Sequence, residues 1–333
     1  MRMQTGRGAA ASPCMDMVEV MLFELGQDPS MRVSPEAGGW RVSVTSDTGE
    51  GSMLFYEIMP GVTLTYNDFH MAECYSGFSY GSDYLSVNHC REGRLEQLMP
   101  GGSYSYTSAG DLKLDDISHH AGSYVFPVEH YHGISLGFDA ALCAKGVQEA
   151  LGQDAPSVSE LRRRFCQGGR PYVLHRFPEA EEIFAGLYAV RPSIRRPFAR
   201  LRALELLLLL SQLERDETCQ ALEYFTRSQV EKVKEARRLM VADLMSVHTV
   251  DELARTVGMP PTAFKACFKG VFGLPPFAYL RSYRMERAVE MLRHESCSVA
   301  EIGIRVGYDS PSKFTAAFKA VRGMTPTQYR NGL

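Results

Sequence analysis

His130 and His132 stand one residue apart, a spacing that would put both imidazoles on one face of a strand, and His119-His120 lies close upstream. Neutral imidazoles suit zinc, copper, iron and nickel, so this stretch is a candidate metal centre. The eight cysteines (Cys14, Cys74, Cys90, Cys143, Cys166, Cys219, Cys267, Cys297) could supply thiolates, but no two form a C-x2-C or similar cluster. They read instead as ordinary buried or half-buried thiols of a reducing compartment, packing as small hydrophobes. A third set has the chemistry to meet a polyanion: Thr262, Lys265, Ala266 and Lys269, then Ser312, Lys313, Ala316 and Lys319. These small, polar or cationic residues are what remains when the apolar stripes of two short helices are subtracted.

The elements that would position this third set repeat. Thr249-Val-Asp-Glu-Leu-Ala-Arg-Thr-Val-Gly258 matches Ser298-Val-Ala-Glu-Ile-Gly-Ile-Arg-Val-Gly307 at an offset of 49. Beyond the glycines the offset is 50, and Phe264, Phe268, Lys269, Val271, Gly273, Pro276 and Tyr279 pair with Phe314, Phe318, Lys319, Val321, Gly323, Pro326 and Tyr329. The change of offset falls in a turn, where insertion is cheapest. In each copy Thr249 or Ser298, followed three residues later by Glu252 or Glu301, has capping-box spacing. Gly258 and Gly307 then mark left-handed helix ends. A second helix follows, burying Phe264, Cys267, Phe268 and Val271 in one copy and Phe314, Ala317, Phe318 and Val321 in the other. This is the pattern of a helix-turn-helix whose second helix can enter a major groove.

Charge divides the chain in the same place. From Arg227 to the end there are 17 Lys+Arg and 10 Asp+Glu, a balance of +7, whereas the remainder carries −10 within a total of −3. A basic terminal region beside an acidic one fits a protein that meets a polyanion with one part only. The hydrophobic share of 45% and charged share of 23% exclude a wholly disordered chain. The longest purely apolar run, Leu206–Leu210, is far too short to cross a bilayer. The first dozen residues lack an apolar signal core, so a cytoplasmic protein is expected.

The region from about Val230 to Tyr329 resembles the DNA-binding domain of the AraC/XylS transcription regulators. The resemblance rests on the two repeated units, the linker Arg281-Ser-Tyr-Arg284 with Ala288 and Leu292, and Ile302-Gly-Ile-Arg-Val-Gly-Tyr308 followed by the Phe-x3-Phe-Lys and Gly-x2-Pro-x2-Tyr matches. It covers about a third of the chain. It implies two helix-turn-helix units joined by a long helix, with recognition helices in successive major-groove segments. Carried over by position, Thr262, Lys265, Ala266, Ser312, Lys313 and Ala316 face bases, while Lys269 and Lys319 contact phosphate. Family members often have a long polar side chain, frequently Arg, where Ala266 and Ala316 stand. Alanine can touch a thymine methyl but cannot pair bidentately with guanine.

Upstream, Gly39–Asp139 alternates in short stretches broken by Gly and Pro, the pattern of an antiparallel barrel or sandwich, and helical periodicity begins after Asp139. Cys90-Arg-Glu-Gly-Arg-Leu-Glu96, Gly110-Asp111-Leu112 and Tyr131-His-Gly-Ile134 are similar to the N-terminal domain of siderophore-uptake-type regulators. That similarity implies a small-molecule effector, with an iron chelate as one candidate, and helices that dimerise. Leu201, Leu204, Leu206–Leu210 and Leu213 are too many apolar residues for one stripe, so their helix needs cover from its own domain or from a second subunit.

The expected architecture is therefore α+β: an N-terminal arm (1–38), partly disordered; a cupin-like β-barrel sensing an effector (39–139); a helical dimerisation segment and linker (140–226); and an all-α domain with two helix-turn-helix units (227–333). The expected function is a sequence-specific regulator, with activation favoured, that is not an enzyme and needs no cofactor. Its partners would be double-stranded promoter DNA, an unidentified effector, RNA polymerase and a second copy of itself, with no membrane. The alternative is a cupin-type metal-dependent enzyme or sensor fused to a DNA-binding domain, although the usual cupin order of two His, a nearby Glu and a distant His is missing. An alkylation-repair protein would need four clustered cysteines, and Cys14, Cys74, Cys90 and Cys143 are scattered.

Overall fold

The computed structural model describes residues 25–26, 28–75, 83–99, 102–116, 123–215, 225–246 and 248–332. They form two compact units, Met1–Leu222 and Glu223–Leu333.

The first unit is an antiparallel half-barrel. Strands β1 (Met31–Glu36), β2 (Gly39–Ser46), β3 (Gly49–Met59) and β4 (Val62–His70) pair in sequence. The sheet passes from β4 to β10 (Tyr131–Asp139) and on to the long β6 (Tyr84–Leu98). β6 also pairs with β7 (Ser103–Ser108), β8 (Asp111–Asp115) and β9 (Ser123–Val125), and β9 pairs in turn with β5 (Glu73–Tyr75). One strand can serve so many neighbours because it bends. Gly93 has φ +83, a Cβ there would collide with the His130 carbonyl, and the β6–β10 register shifts at His132/Gly133. Two boundaries expected from sequence move. β1 lies inside the segment read as N-terminal arm, because Met31 and Val33 supply a second alternating run. β11 (Tyr172–His175) lies inside the segment read as helical and pairs with β8.

Strand alternation gives the sheet two different faces. One, with Leu64, Leu85, Leu114, Ile134 and Leu136, is covered by helices α1 (Ala140–Leu151), α2 (Val158–Phe165), α3 (Pro178–Ala189) and α4 (Arg195–Gln212). α1 starts where the Asp139 carboxylate accepts from the amides of Ala141 and Leu142. α4 sends Leu204, Leu206, Leu207 and Leu210 into this core. The excess leucines face away: Leu201 is 66% exposed and Leu208 37%, in heptad register with Ile194 at 51%. The opposite face of the sheet encloses a second cluster around Val44, Phe55, Phe69, Phe126 and Tyr131.

The second unit is helical: α5 (Arg227–Ala242), α6 (Val250–Thr256), α7 (Pro261–Phe272), α8 (Pro276–His294), α9 (Val299–Arg305), α10 (Pro311–Arg322) and α11 (Pro326–Asn331). No described helix is long and apolar enough to cross a membrane.

Candidate nucleic-acid interface

The sequence repeat reappears as a structural repeat. Thr249 and Ser298 cap α6 and α9 through complete capping boxes with Glu252 and Glu301. Gly258 (φ +64) and Gly307 (φ +88) make the turns, and α7 and α10 begin with Pro261 and Pro311, whose missing N–H has no helical partner to lose. In the first copy Phe264 and Phe268 lie 5.7 Å apart and Phe268 meets Tyr279 edge-on at 5.7 Å. In the second, Phe314–Phe318 and Phe318–Tyr329 are each 5.8 Å. Each tyrosine hydroxyl accepts from an arginine, Arg237 Nε at 2.8 Å on Tyr279 and Arg293 Nη2 at 2.6 Å on Tyr329. Gly273 and Gly323, both left-handed, close α7 and α10 by donating to the carbonyls of Lys269 and Lys319.

The buried aromatics fix which face turns outward. Thr262, Lys265, Lys269, Ser312, Lys313, Ala316 and Lys319 are exposed, and Ala266 is half-buried. Thr262/Ser312, Ala266/Ala316 and Lys269/Lys319 occupy equivalent positions, but the other lysines do not. Lys265 matches Thr315, and Lys313 matches Ala263, so the two helices present a flexible cation at different heights. Lys313 Nζ sits 2.9 Å from Asp309 Oδ2, one turn earlier, and this contact holds the exposed Asp309 carboxyl below its usual range.

One expectation for the stripe fails. Ala317 is half-buried and Val321 is 40% exposed, whereas Val271 is fully buried. In the first copy Phe225 lies over the end of α7, against Gly270, where any Cβ would strike its ring. The equivalent residue in α10 is Ala320, which is exposed.

The first unit holds a cavity of about 160 Å³. Its apolar side includes Met31, Val44, Met53, Phe55, Phe69 and Phe126, and its polar side Thr63, Thr65, Asn67, Ser86, Asn88 and Ser135. Ser135 Oγ accepts from Asn67 Nδ2 at 3.1 Å and Asn88 Nδ2 at 2.8 Å, and Tyr131 donates to Asn88 Oδ1 at 2.5 Å. Burial pushes the Tyr131 hydroxyl well above its ordinary range, so it stays a neutral donor. The lone cation of the lining, Lys113, is compensated by Asp115 Oδ2 at 3.0 Å and Gln97 Oε1 at 2.7 Å. Sequence reasoning missed these residues. Their signal was Thr63, Thr65 and Asn67 alternating with Val62, Leu64 and Tyr66 in β4.

His132 lies edge-on to Tyr188 with ring centroids 5.3 Å apart, while His130 lies 4.8 Å from His70, a residue that sequence reasoning did not single out. His119-His120 falls outside the described residues, as do Cys14 and Cys219. Burial raises the thiol of Cys143 to about 11 and of Cys74 to about 12, and pushes Cys90 and Cys166 higher still, so these cysteines are neutral at physiological pH.

Residues 253–332 match the family model described as a helix-turn-helix domain. An AraC-like transcription regulator of Streptomyces lividans is 40% identical over 82 residues, covering 25% of this chain and 27% of its own. The regulatory protein PchR of Pseudomonas aeruginosa is 42% identical over 74 residues, covering 22% and 25%. The chain thus spans about a quarter of the length of these curated relatives. Among solved structures, unsaturated-fatty-acid-bound ToxT of Vibrio cholerae aligns over 81% of this chain and 94% of its own, with 11% identity and a TM-score of 0.32. Both glycine turns, both aromatic cores and the second capping box lie inside the matched segment, and the C-terminal unit is thus similar to part of AraC-like transcription regulators.

Proposed function

We propose that the protein is a sequence-specific regulator of transcription that binds double-stranded DNA through two helix-turn-helix units and is not an enzyme. The observation that carries this is the repeated outward face of α7 and α10, small, polar and basic, over an aromatic core repeated to within 0.1 Å in its ring spacings. Small side chains at Thr262, Ala266, Ser312 and Ala316 permit close approach to base edges, and Lys265 and Lys313 reach for them. Lys269 and Lys319, one turn further on, neutralise phosphate. Purified protein mixed with sheared genomic fragments should enrich a small set of promoter sequences. Recovery of fragments in proportion to their input would end the proposal.

The cupin-like half-barrel is the sensor in this reading, and its cavity constrains the effector. An apolar cavity of about 150 Å³ holds a benzene-sized molecule. A cavity of this size with one neutral polar wall therefore suits a small uncharged ring or chain bearing hydroxyl or amide groups, and an iron chelate is too bulky. An effector biases DNA binding only by its difference in affinity for competent and incompetent states, typically about 1–3 kcal/mol. Ile194, Leu201 and Leu208, exposed at heptad spacing, support a homodimer through α4. Activation through RNA polymerase in the cytoplasm completes the reading.

A further inference from the structure

On the outer face of the half-barrel, away from the cavity, Asp68 and His70 alternate along β4 with the inward Asn67 and Phe69. His70 Nε2 lies 3.1 Å from Asp68 Oδ1, and the His70 and His130 rings face each other at 4.8 Å. One donor atom from each of Asp68, His70 and His130 lies within 4.8 Å of the other two. Glu92, from β6, brings Oε2 to 3.6 Å of His130 Nε2, while Arg91 approaches its other oxygen at 3.7 Å. His130 Nδ1 is buried without a hydrogen-bond partner.

We infer that Asp68, His70 and His130, with Glu92 as a fourth donor, form a surface site for a divalent transition-metal ion, Zn²⁺ in particular. Two imidazoles and carboxylate oxygens select zinc, cobalt or nickel over calcium or magnesium, which prefer all-oxygen shells. Zn–N and Zn–O bonds of about 2.0–2.2 Å bring tetrahedral ligand atoms to roughly 3.4 Å of one another. The donors must therefore close by about an ångström, which rotation of the exposed Asp68 and His70 side chains supplies. The ion would tie the end of β4 to the start of β10. Phe69 and Tyr131, paired across those two strands, line the cavity from the other face, so metal occupancy would stiffen the cavity wall. The inference does not depend on DNA recognition.

Full-length protein stripped with chelator and dialysed is titrated with Co²⁺, followed by its d–d absorption, and then with Zn²⁺ as competitor. One equivalent is expected to bind, with Zn²⁺ displacing Co²⁺ and raising the melting temperature read by fluorescence of the single tryptophan, Trp40. The His70→Ala/His130→Ala double variant should lose both responses while keeping the metal-free melting temperature. Asp68→Asn and Glu92→Gln, which preserve shape, should weaken binding by tenfold or more, since even loss of an outer-shell partner typically costs about 10–100-fold. No bound equivalent in the wild type, or equal binding by the double variant, overturns the site. If the double variant fails to fold, unchanged affinity in both Asp68→Asn and Glu92→Gln does the same.

Discussion

Gly258 and Gly307 hold the same place in the two repeats, and replacing each by alanine should have different consequences. Both are left-handed, φ +64 and +88, and a Cβ in that conformation costs about 1–2 kcal/mol. At Gly258 nothing further opposes it, because the nearest atom is the flexible Lys232 Nζ at 3.8 Å. At Gly307 the added carbon would fall far inside contact with the Leu244 carbonyl oxygen and 2.7 Å from Arg284 Nη2. That oxygen accepts from Arg284 Nη2 at 2.5 Å, so relief requires the 243–246 turn to retreat and lengthen the bond. Overpacking of this kind adds about 1–3 kcal/mol, and a hydrogen bond from a charged donor another 1.5–3. Gly307→Ala should therefore destabilise the C-terminal unit by about 4 kcal/mol or more, against about 1–2 for Gly258→Ala. Urea melts followed by circular dichroism at 222 nm report the helices of both units, and Trp40 fluorescence, which reports the first unit alone, separates its transition from that of the C-terminal unit. Equal losses for the two variants would refute the steric argument.

Lys319→Ala should weaken binding to all duplexes alike and lower the salt slope by about one, whereas Lys313→Ala should relax base preference at one position, both read by fluorescence anisotropy across duplexes and salt concentrations. If α4 is the dimer seam, Leu201→Ala removes a leucine from each subunit and should cost about 3 kcal/mol, roughly a hundredfold in the dimer dissociation constant by analytical ultracentrifugation. An unchanged constant removes α4 from the interface. His175 Nδ1 lies 2.7 Å from Asp111 Oδ1, and that hydrogen bond raises the imidazole above its usual range despite partial burial. A raised folded value gives stability that is full below the unfolded value near 6.5 and is lost as pH rises through the folded one. The melting-temperature deficit of His175→Gln should accordingly be larger at pH 5.5 than at pH 9, and a deficit that grows with pH would contradict the pairing.

Much of the C-terminal unit was legible in the sequence because its signals are local. Capping boxes, glycine turns and an i, i+4 phenylalanine pair are each complete within a dozen residues, and repetition checked every one of them. Val321 was misjudged: beside Val271 the first copy has Gly270 under Phe225, and beside Val321 the second has the exposed Ala320. The half-barrel was legible as alternation, but not the use of its two faces. Which of two alternating sets meets the helices depends on pairings such as Tyr131 with Phe69 and with Gly93, many residues apart in the chain. The histidine contacts follow the same rule. The meeting that matters geometrically, His130 with His70, crosses from one strand to another, and only register brings it about.

In the proposed reading, α7 and α10 together read DNA. Selection from a pool of random duplexes by the full-length protein tests it most directly. Enrichment is expected of a motif with two conserved blocks spaced by about one helical turn, roughly 10–10.5 base pairs, of which Lys265→Ala alters one and Lys313→Ala the other. No enrichment, or a motif indifferent to both lysines, would contradict it.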